Sequence, residues 1–469
     1  MTAFRARARR IVTGLLLGLA ACPAVAVAQP TAADPMKPRE PLPAPAGLRP
    51  FVTPSQIAER ELTLEEAVAI ALDNQPQILA RVGDYLAAQQ RVAQALSPLL
   101  PQLSGLWNGF ENQTVSQSTP SATAGVPVSM RRTVTATSQS VSTTASITAS
   151  QLLWDFGKTW AATDAARAGA ESSRQDVELQ KDLIALAVKE SYFNQLFAAR
   201  LVVVNAQAVD RAELNLRSAR GFFEVGTRPK FDVTRAEVDV ANARLDLIRS
   251  QNAVSLARIA LNTAMGIAVN APTRVKDILA YEVFTLDRES LVAEALSRRP
   301  EHRQAKVRFE AAEATARQTF RDFFPNVVAS GTYGAQRPDM NEIYSFGVQL
   351  NWSIFDGGNK IAKYRESLAA RDAAQARIRD AELSIWQQVE QAHVSLIEAE
   401  ERIGAAGKAV ESAQENFRLG QGRFDAGVGT IIELTDAQLA LTRAQSVEAQ
   451  ALTDYRIAIA RLERALGRR

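Results

Sequence analysis

Two histidines and one cysteine in 469 residues leave little from which to build a metal cluster or a nucleophilic triad. His393 lies between Val389 and Leu396 on an apolar helix face and reads as a packed or hydrogen-bonded interior residue. No catalytic residue, cofactor or metal is expected. The side chains placed to do chemistry are carboxylates: Asp232, Glu433 and Asp436, each just after a glycine turn and in the opening turns of a helix. Their chemistry is electrostatic. They are either solvated acids favoured by the helix dipole or the source of a field that acts on charged solutes.

The turns that carry these acids are two copies of one element. FEVGTRPKFDVTRAE at 223–237 matches FDAGVGTIIELTDAQ at 424–438, pairing Phe223 with Phe424, Gly226 with Gly427 and Asp232 with Glu433 at an offset of 201. The same offset superposes Trp154-Asp155-Phe156-Gly157 on Phe355-Asp356-Gly357-Gly358, and LNTAMG at 261–266 on LERALG at 462–467. Upstream the offset becomes 224, with Pro76 on Pro300 and Pro101 on Pro325, because a Ser/Thr-rich loop around Thr114 to Thr137 carries extra residues. The chain is a tandem duplication.

The net charge of +3 is set by a leader. Arg5, Arg7, Arg9 and Arg10, an apolar run from Ile11 to Ala21, and Ala26-Val27-Ala28 make residues 1–28 an export signal; without those four arginines, 50 basic residues face 51 acidic ones. Nothing calls for nucleic acid. Cys22 follows Leu19-Ala20-Ala21, so lipidation at Cys22 competes with cleavage after Ala28, and either way no internal disulfide forms. Residues 29–61 form a Pro/Ala-rich tether. The first repeat is expected over 62–266, a linker over 267–289 and the second repeat over 290–469.

Beyond the leader no run of about 18 apolar residues exists, so any membrane crossing falls to strands. Leu103 to Asn112 and Val134 to Leu153 are strand candidates. In the second copy Tyr344, Phe346, Val348, Leu350, Trp352 and Ile354 alternate with small or polar residues. Such alternation fits a sandwich strand as well as a membrane strand. Export, strand length, and Trp154 and Trp352 as interfacial aromatics at strand ends favour the membrane. Two strands per copy cannot close a barrel, so several chains must contribute to one.

A helix beginning at Thr63-Leu64-Glu65-Glu66 is expected to run to about Leu96. After Asp155 and Asp356, each an N-cap candidate, helices of about 65 residues run to the repeated turns, a length of ~100 Å. Apolar residues recur every seven positions, as Val389, Leu396, Ile403, Val410, Phe417 and Phe424, and again, with Gln195 as the one polar member, as Val188, Gln195, Val202, Val209, Leu216 and Phe223. Sustained sevens mean coiled-coil packing. The fold class is mainly α, with long coiled-coil helices in tandem and four strands per chain contributed to a transmembrane β-barrel.

Taken together, the duplication, the LTLEEAVAIALDNQP opening at 62–76, the FDGG corner at 355–358 and the VGT…DV and AGV…EL turns resemble the TolC-like outer-membrane channels of tripartite efflux and type I secretion. The resemblance implies a homotrimer in outer-membrane lipid, with a 12-strand barrel and a 12-helix periplasmic tunnel. It further implies a periplasmic adaptor and an inner-membrane transporter of the RND or ABC kind as partners. It makes Gly226, Thr227, Gly427 and Val428 adaptor-contacting turns, Asp232, Glu433 and Asp436 a periplasmic entrance ring, and Arg228 and Phe424 closed-state contacts. Gly429 stands where such families often carry a clamping arginine. The expected function is passive export of drugs and other small molecules, with protein secretion as the alternative. An adhesin-type trimeric stalk is the rival from another class, but it would not interrupt its helices twice with strand pairs.

Overall fold

The computed structural model describes residues 61–118, 134–281, 288–337 and 341–469. The leader with Cys22, the tether up to residue 60 and the middle of the Ser/Thr-rich loop lie outside them. β1 (Glu61–Leu62) leads into α1 (Leu64–Asn74) and α2 (Pro76–Leu96). Thr63 caps α1 in a full capping box with Glu66. The single helix expected here is broken at Gln75, which is extended (ψ 118°) because Pro76 disfavours helical geometry in the residue before it. Arg299 before Pro300 repeats the break between α5 (Arg288–Arg298) and α6 (Pro300–Arg321).

β2 (Gln102–Ser118) runs past the expected Asn112 into what the sequence suggested was loop, whereas β3 (Val134–Trp154) keeps the expected Val134 to Leu153 to within a residue. Their Thr, Ser and Gln residues look loop-like, yet they pair in continuous antiparallel register from Gln102↔Ser150 to Ser118↔Val134. β5 (Asn326–Arg337) pairs with β3, and β6 (Asn341–Asn351) with β5, giving the order β2-β3-β5-β6. β6 ends before Trp352, three residues short of the expected Ile354.

The long helices are α3 (Lys158–Glu224) and α7 (Asn359–Asp425), 67 residues each, which gives ~100 Å apiece. α4 (Lys230–Met265) and α8 (Ile431–Ala465) return from the turns. Near the sheet α3 packs between α2 and α6; toward the turns it packs between α4 and α8. The heptad residues Val188, Val389 and Leu396 are buried in two clusters, Val188 with Leu261 of α4, and Val389 and Leu396 with Leu462 of α8.

At mid-length the linker forms β4 (Arg274–Val275), parallel to β1. Tyr192 of α3 fastens it by donating within reach of the Leu62 and Lys276 carbonyls, at 3.0 and 2.8 Å, and burial raises its phenol to about 12. Beside it Arg299, 2% exposed, donates to Glu301 (2.5 Å) and Gln388 (2.8 Å), and Arg464 donates to the same two residues. Burial pushes the Glu301 carboxyl up, but the hydrogen bond and charge of Arg299, with Arg464 behind it, outweigh burial and hold it below its ordinary 4.5. No helix among the described residues is long and apolar enough to cross a membrane.

Candidate functional site: the helical tips and the open sheet

Each long helix ends in a glycine forced left-handed: Gly226 at φ 75° and Gly427 at φ 80°. The Thr227 N–H returns to the Phe222 carbonyl (3.0 Å) and the Val428 N–H to the Arg423 carbonyl (3.0 Å), closing the same C-terminal motif in both copies. Pro229 opens α4, while Thr430 caps α8 through the Glu433 N–H.

The two tips then differ. Arg228 reaches across from the first to the second, donating to the Gly429 carbonyl at 2.6 Å and lying 4.7 Å over the Phe424 ring. Asp232, 6% exposed, pairs with Arg228 at 3.6 Å. Phe424 is fully buried with Ala219, Ala236, Ile431 and Leu434, and meets Phe222 edge-on. Its repeat counterpart Phe223 is 43% exposed, so the heptad series ends one residue out of step in the first copy. Gly429 sits tightly where the resemblance made an arginine conspicuous by its absence: a Cβ there would stand 3.0 Å from the Arg423 backbone and Cβ and from the Phe424 nitrogen. Arg228 supplies the cation from the other copy instead.

The three predicted carboxylates are not equivalent. Asp232 is consumed by its buried ion pair, so in the single chain it does not join the others in solvent. Glu433 and Asp436 are exposed, with Arg423 3.6 Å from Glu433. Asp239, which composition did not single out, accepts from Thr435 at 2.9 Å and adds a second link between the tips. Around the turns Val225 and Val428 are 71% and 70% exposed, and Phe231 and Ile432 are open beside them. The Val-Gly dipeptides were legible as turns, whereas Phe231 and Ile432 gave no separate signal.

At the other end the register sorts the sheet into two faces. Directly paired residues share a face, so Leu103–Ala149–Gly331–Phe346 and Gly105–Ile147–Tyr333–Tyr344 form apolar rows, and Ser104–Thr148–Thr332–Ser345 forms a polar one. The apolar face is uncovered in the single chain: Leu103, Trp107, Tyr344 and Phe346 are each at least 74% exposed. The outer edges of β2 and β6 pair with no other strand among the described residues. Trp154 ends β3, and Trp352, just past β6, donates its indole N–H to the Phe323 carbonyl at 3.1 Å. Asp155 and Asp356 turn the strands into α3 and α7, accepting from the Thr159 and Lys360 N–H groups. Among the described residues no group of His, Cys, Asp and Glu is arranged to hold a metal.

These features recur in known proteins. The sequence model of the family described as Outer membrane efflux protein matches residues 67–267 and 291–468. A probable efflux pump outer membrane protein, TtgC of Pseudomonas putida, is 24% identical over 369 residues, covering 77% of this chain and 73% of its own. The pyoverdine export outer membrane protein OpmQ of Pseudomonas aeruginosa is 25% identical over 413 residues, covering 86% and 83%. The open-state crystal structure of the MtrE outer membrane channel of Neisseria gonorrhoeae superposes with a TM-score of 0.71 at 21% identity, covering 86% of this chain and 89% of that one. With the matched residues spanning both copies of the repeat, the chain belongs to the outer membrane efflux protein family, whose members are outer-membrane channels and not enzymes.

Proposed function

We propose that this protein is the outer-membrane exit channel of a tripartite efflux pump, carrying small molecules passively from the periplasm to the exterior. The observation that carries the reading is the apolar, open-edged sheet at one end of ~100 Å helices whose other ends are two glycine turns tied together by Arg228. Four strands with unsatisfied edges gain their remaining backbone partners from other copies, which supports three chains sharing one barrel. The exposed Val225, Val428, Phe231 and Ile432 around Gly226, Thr227 and Gly427 form the surface for a periplasmic adaptor, itself attached to an inner-membrane transporter. Arg228 with Phe424 holds the entrance closed, and Glu433 and Asp436, repeated by symmetry, favour cations at its mouth.

Efflux is preferred over protein secretion because TtgC is named for an efflux pump and OpmQ for pyoverdine export. The test is complementation in a strain lacking its own channel, with a cognate adaptor and pump supplied. Restored dye and drug export through a detergent-extracted trimer supports the proposal. Restored secretion of a protein substrate without drug export overturns it.

A further inference from the structure

The second copy builds something at the sheet-to-helix junction that the first copy does not. A cleft of about 510 Å³ opens between α6 and α7, lined by Phe156, Phe320, Phe324 and Tyr364 together with Arg317, Arg321 and Arg371. Its volume falls in the roughly 300–1,000 Å³ range of small-ligand sites. At the repeat offsets, the first copy has Leu96 for Phe320, Leu100 for Phe324, Thr163 for Tyr364, and Ala93, Ser97 and Ala170 for the three arginines. The same helix packing therefore forms without aromatics or cations there, so the cleft is not a requirement of the fold.

Phe156 points the same way. Its φ of 55° is the one positive value of a non-glycine among the described residues, and its counterpart in the second copy is Gly357. Left-handed geometry strains a side chain in a way that glycine avoids. The ring is placed where it stacks on Phe324 (5.2 Å) and meets Trp154 edge-on (6.0 Å). Trp154 pairs with Val327, on the apolar face of the sheet. The aromatic lining is thus continuous with the lipid-facing surface, and it begins where the strands give way to periplasmic helices.

The cations are available to a ligand. Arg317 and Arg371 pair with Glu313, which also lines the cleft, and Asp372, in solvent-exposed pairs worth little in water. Arg321 donates to the Gly157 carbonyl at 2.5 Å, in space left by the missing side chain of Gly157, and forms no carboxylate pair among the described residues. We propose that this cleft binds the headgroup of one anionic phospholipid of the inner leaflet: its phosphate on Arg317, Arg321 and Arg371, its glycerol against Tyr364, and its acyl chains along the apolar strand face. Both walls are helices of one chain, so the site is complete in each protomer. Guanidinium forks match phosphate, and basic pockets at membrane depth are where anionic headgroups are held.

The test uses the full trimer in phosphatidylcholine vesicles, measuring the binding of brominated phosphatidylglycerol relative to brominated phosphatidylcholine by quenching of tryptophan emission. Wild type is expected to prefer phosphatidylglycerol, and Arg317→Gln with Arg371→Gln to weaken that preference by about thirtyfold for two lost phosphate contacts. Phe156→Gly, which suits its backbone and copies Gly357, keeps the assembly and is expected to give a smaller loss, so the idea stays testable if the double variant fails to assemble. An unchanged preference in either folded variant overturns the proposal. So does its abolition in wild type by excess inorganic phosphate, which marks a free-anion site. Retained lipid preference with lost adaptor co-purification in the double variant assigns the cleft to a protein partner and also overturns it.

Discussion

Arg228→Ala tests the link between the tips most directly. The substitution removes a charge-assisted hydrogen bond to Gly429, about 2 kcal/mol, and a cation–π contact with Phe424, about 1 kcal/mol. It also strands Asp232, 6% exposed, without its cation, which brings the expected total to roughly 3–5 kcal/mol. Adding Asp232→Asn abolishes the stranded charge, so the double variant should retain only the ~3 kcal/mol of lost contacts. That corresponds to a roughly hundredfold shift toward separated tips. Amide hydrogen exchange reads it at Val428 and Gly429, whose N–H groups are held by the Arg423 carbonyl. Exchange there should accelerate about a hundredfold in the double variant and more in Arg228→Ala, with a matching rise in single-channel conductance. Unchanged exchange in Arg228→Ala, or equal rates in the two variants, would refute the reasoning.

Three further outcomes are expected. Glu301→Gln should lower the melting temperature at neutral pH, with the difference from wild type shrinking in acid: a carboxyl held below 4.5 contributes stability above its unfolded pKa that is lost as pH falls through the folded value, so a pH series of thermal melts checks it. Gly427→Ala meets no neighbour within 4 Å and should cost only the left-handed strain of about 1–2 kcal/mol, whereas Gly427→Trp should keep the trimer and lose export; a fully active Gly427→Trp protein would show that the turn touches no partner. Glu433→Gln with Asp436→Asn should weaken cation selectivity in planar bilayers and raise the hexaamminecobalt concentration needed to block, while Glu398→Gln, midway along α7, should do neither.

Sequence carried the long-range order better than the local detail, and for physical reasons. Heptads, glycine turns and alternating strands are repetitive signals, and Val188, Val389, Gly226, Gly427 and the Tyr344–Leu350 alternation all fall where they predict. β2 was underestimated because a barrel's polar face uses Ser, Thr and Gln, the residues that also make loops. The helix break at Gln75 was written in Pro76, but apolar periodicity on both sides masked it. At the tips, composition located the acids but not their states. Whether Asp232 is free or paired depends on Arg228, and where Arg228 points depends on a carbonyl 201 positions away, which no local pattern reports.

On the channel function proposed above, that cross-copy contact would determine how the two tips separate. Arg228 has Gly429 as its repeat counterpart, and a side chain at Gly429 would press on Arg423 and Phe424 at 3.0 Å, so the link has one donor hairpin, α3–α4, and one acceptor hairpin, α7–α8. The apolar contacts among Phe222, Phe424, Ile431 and Leu434 are non-directional and tolerate sliding, whereas a hydrogen bond of 2.6 Å is lost within about 1 Å of displacement. A small shear between the two hairpins therefore releases Arg228 before it exposes the apolar tip core. On the proposed function, opening would then proceed with the coiled coil still packed, at a cost set by the polar contacts of one arginine more than by the helices it joins.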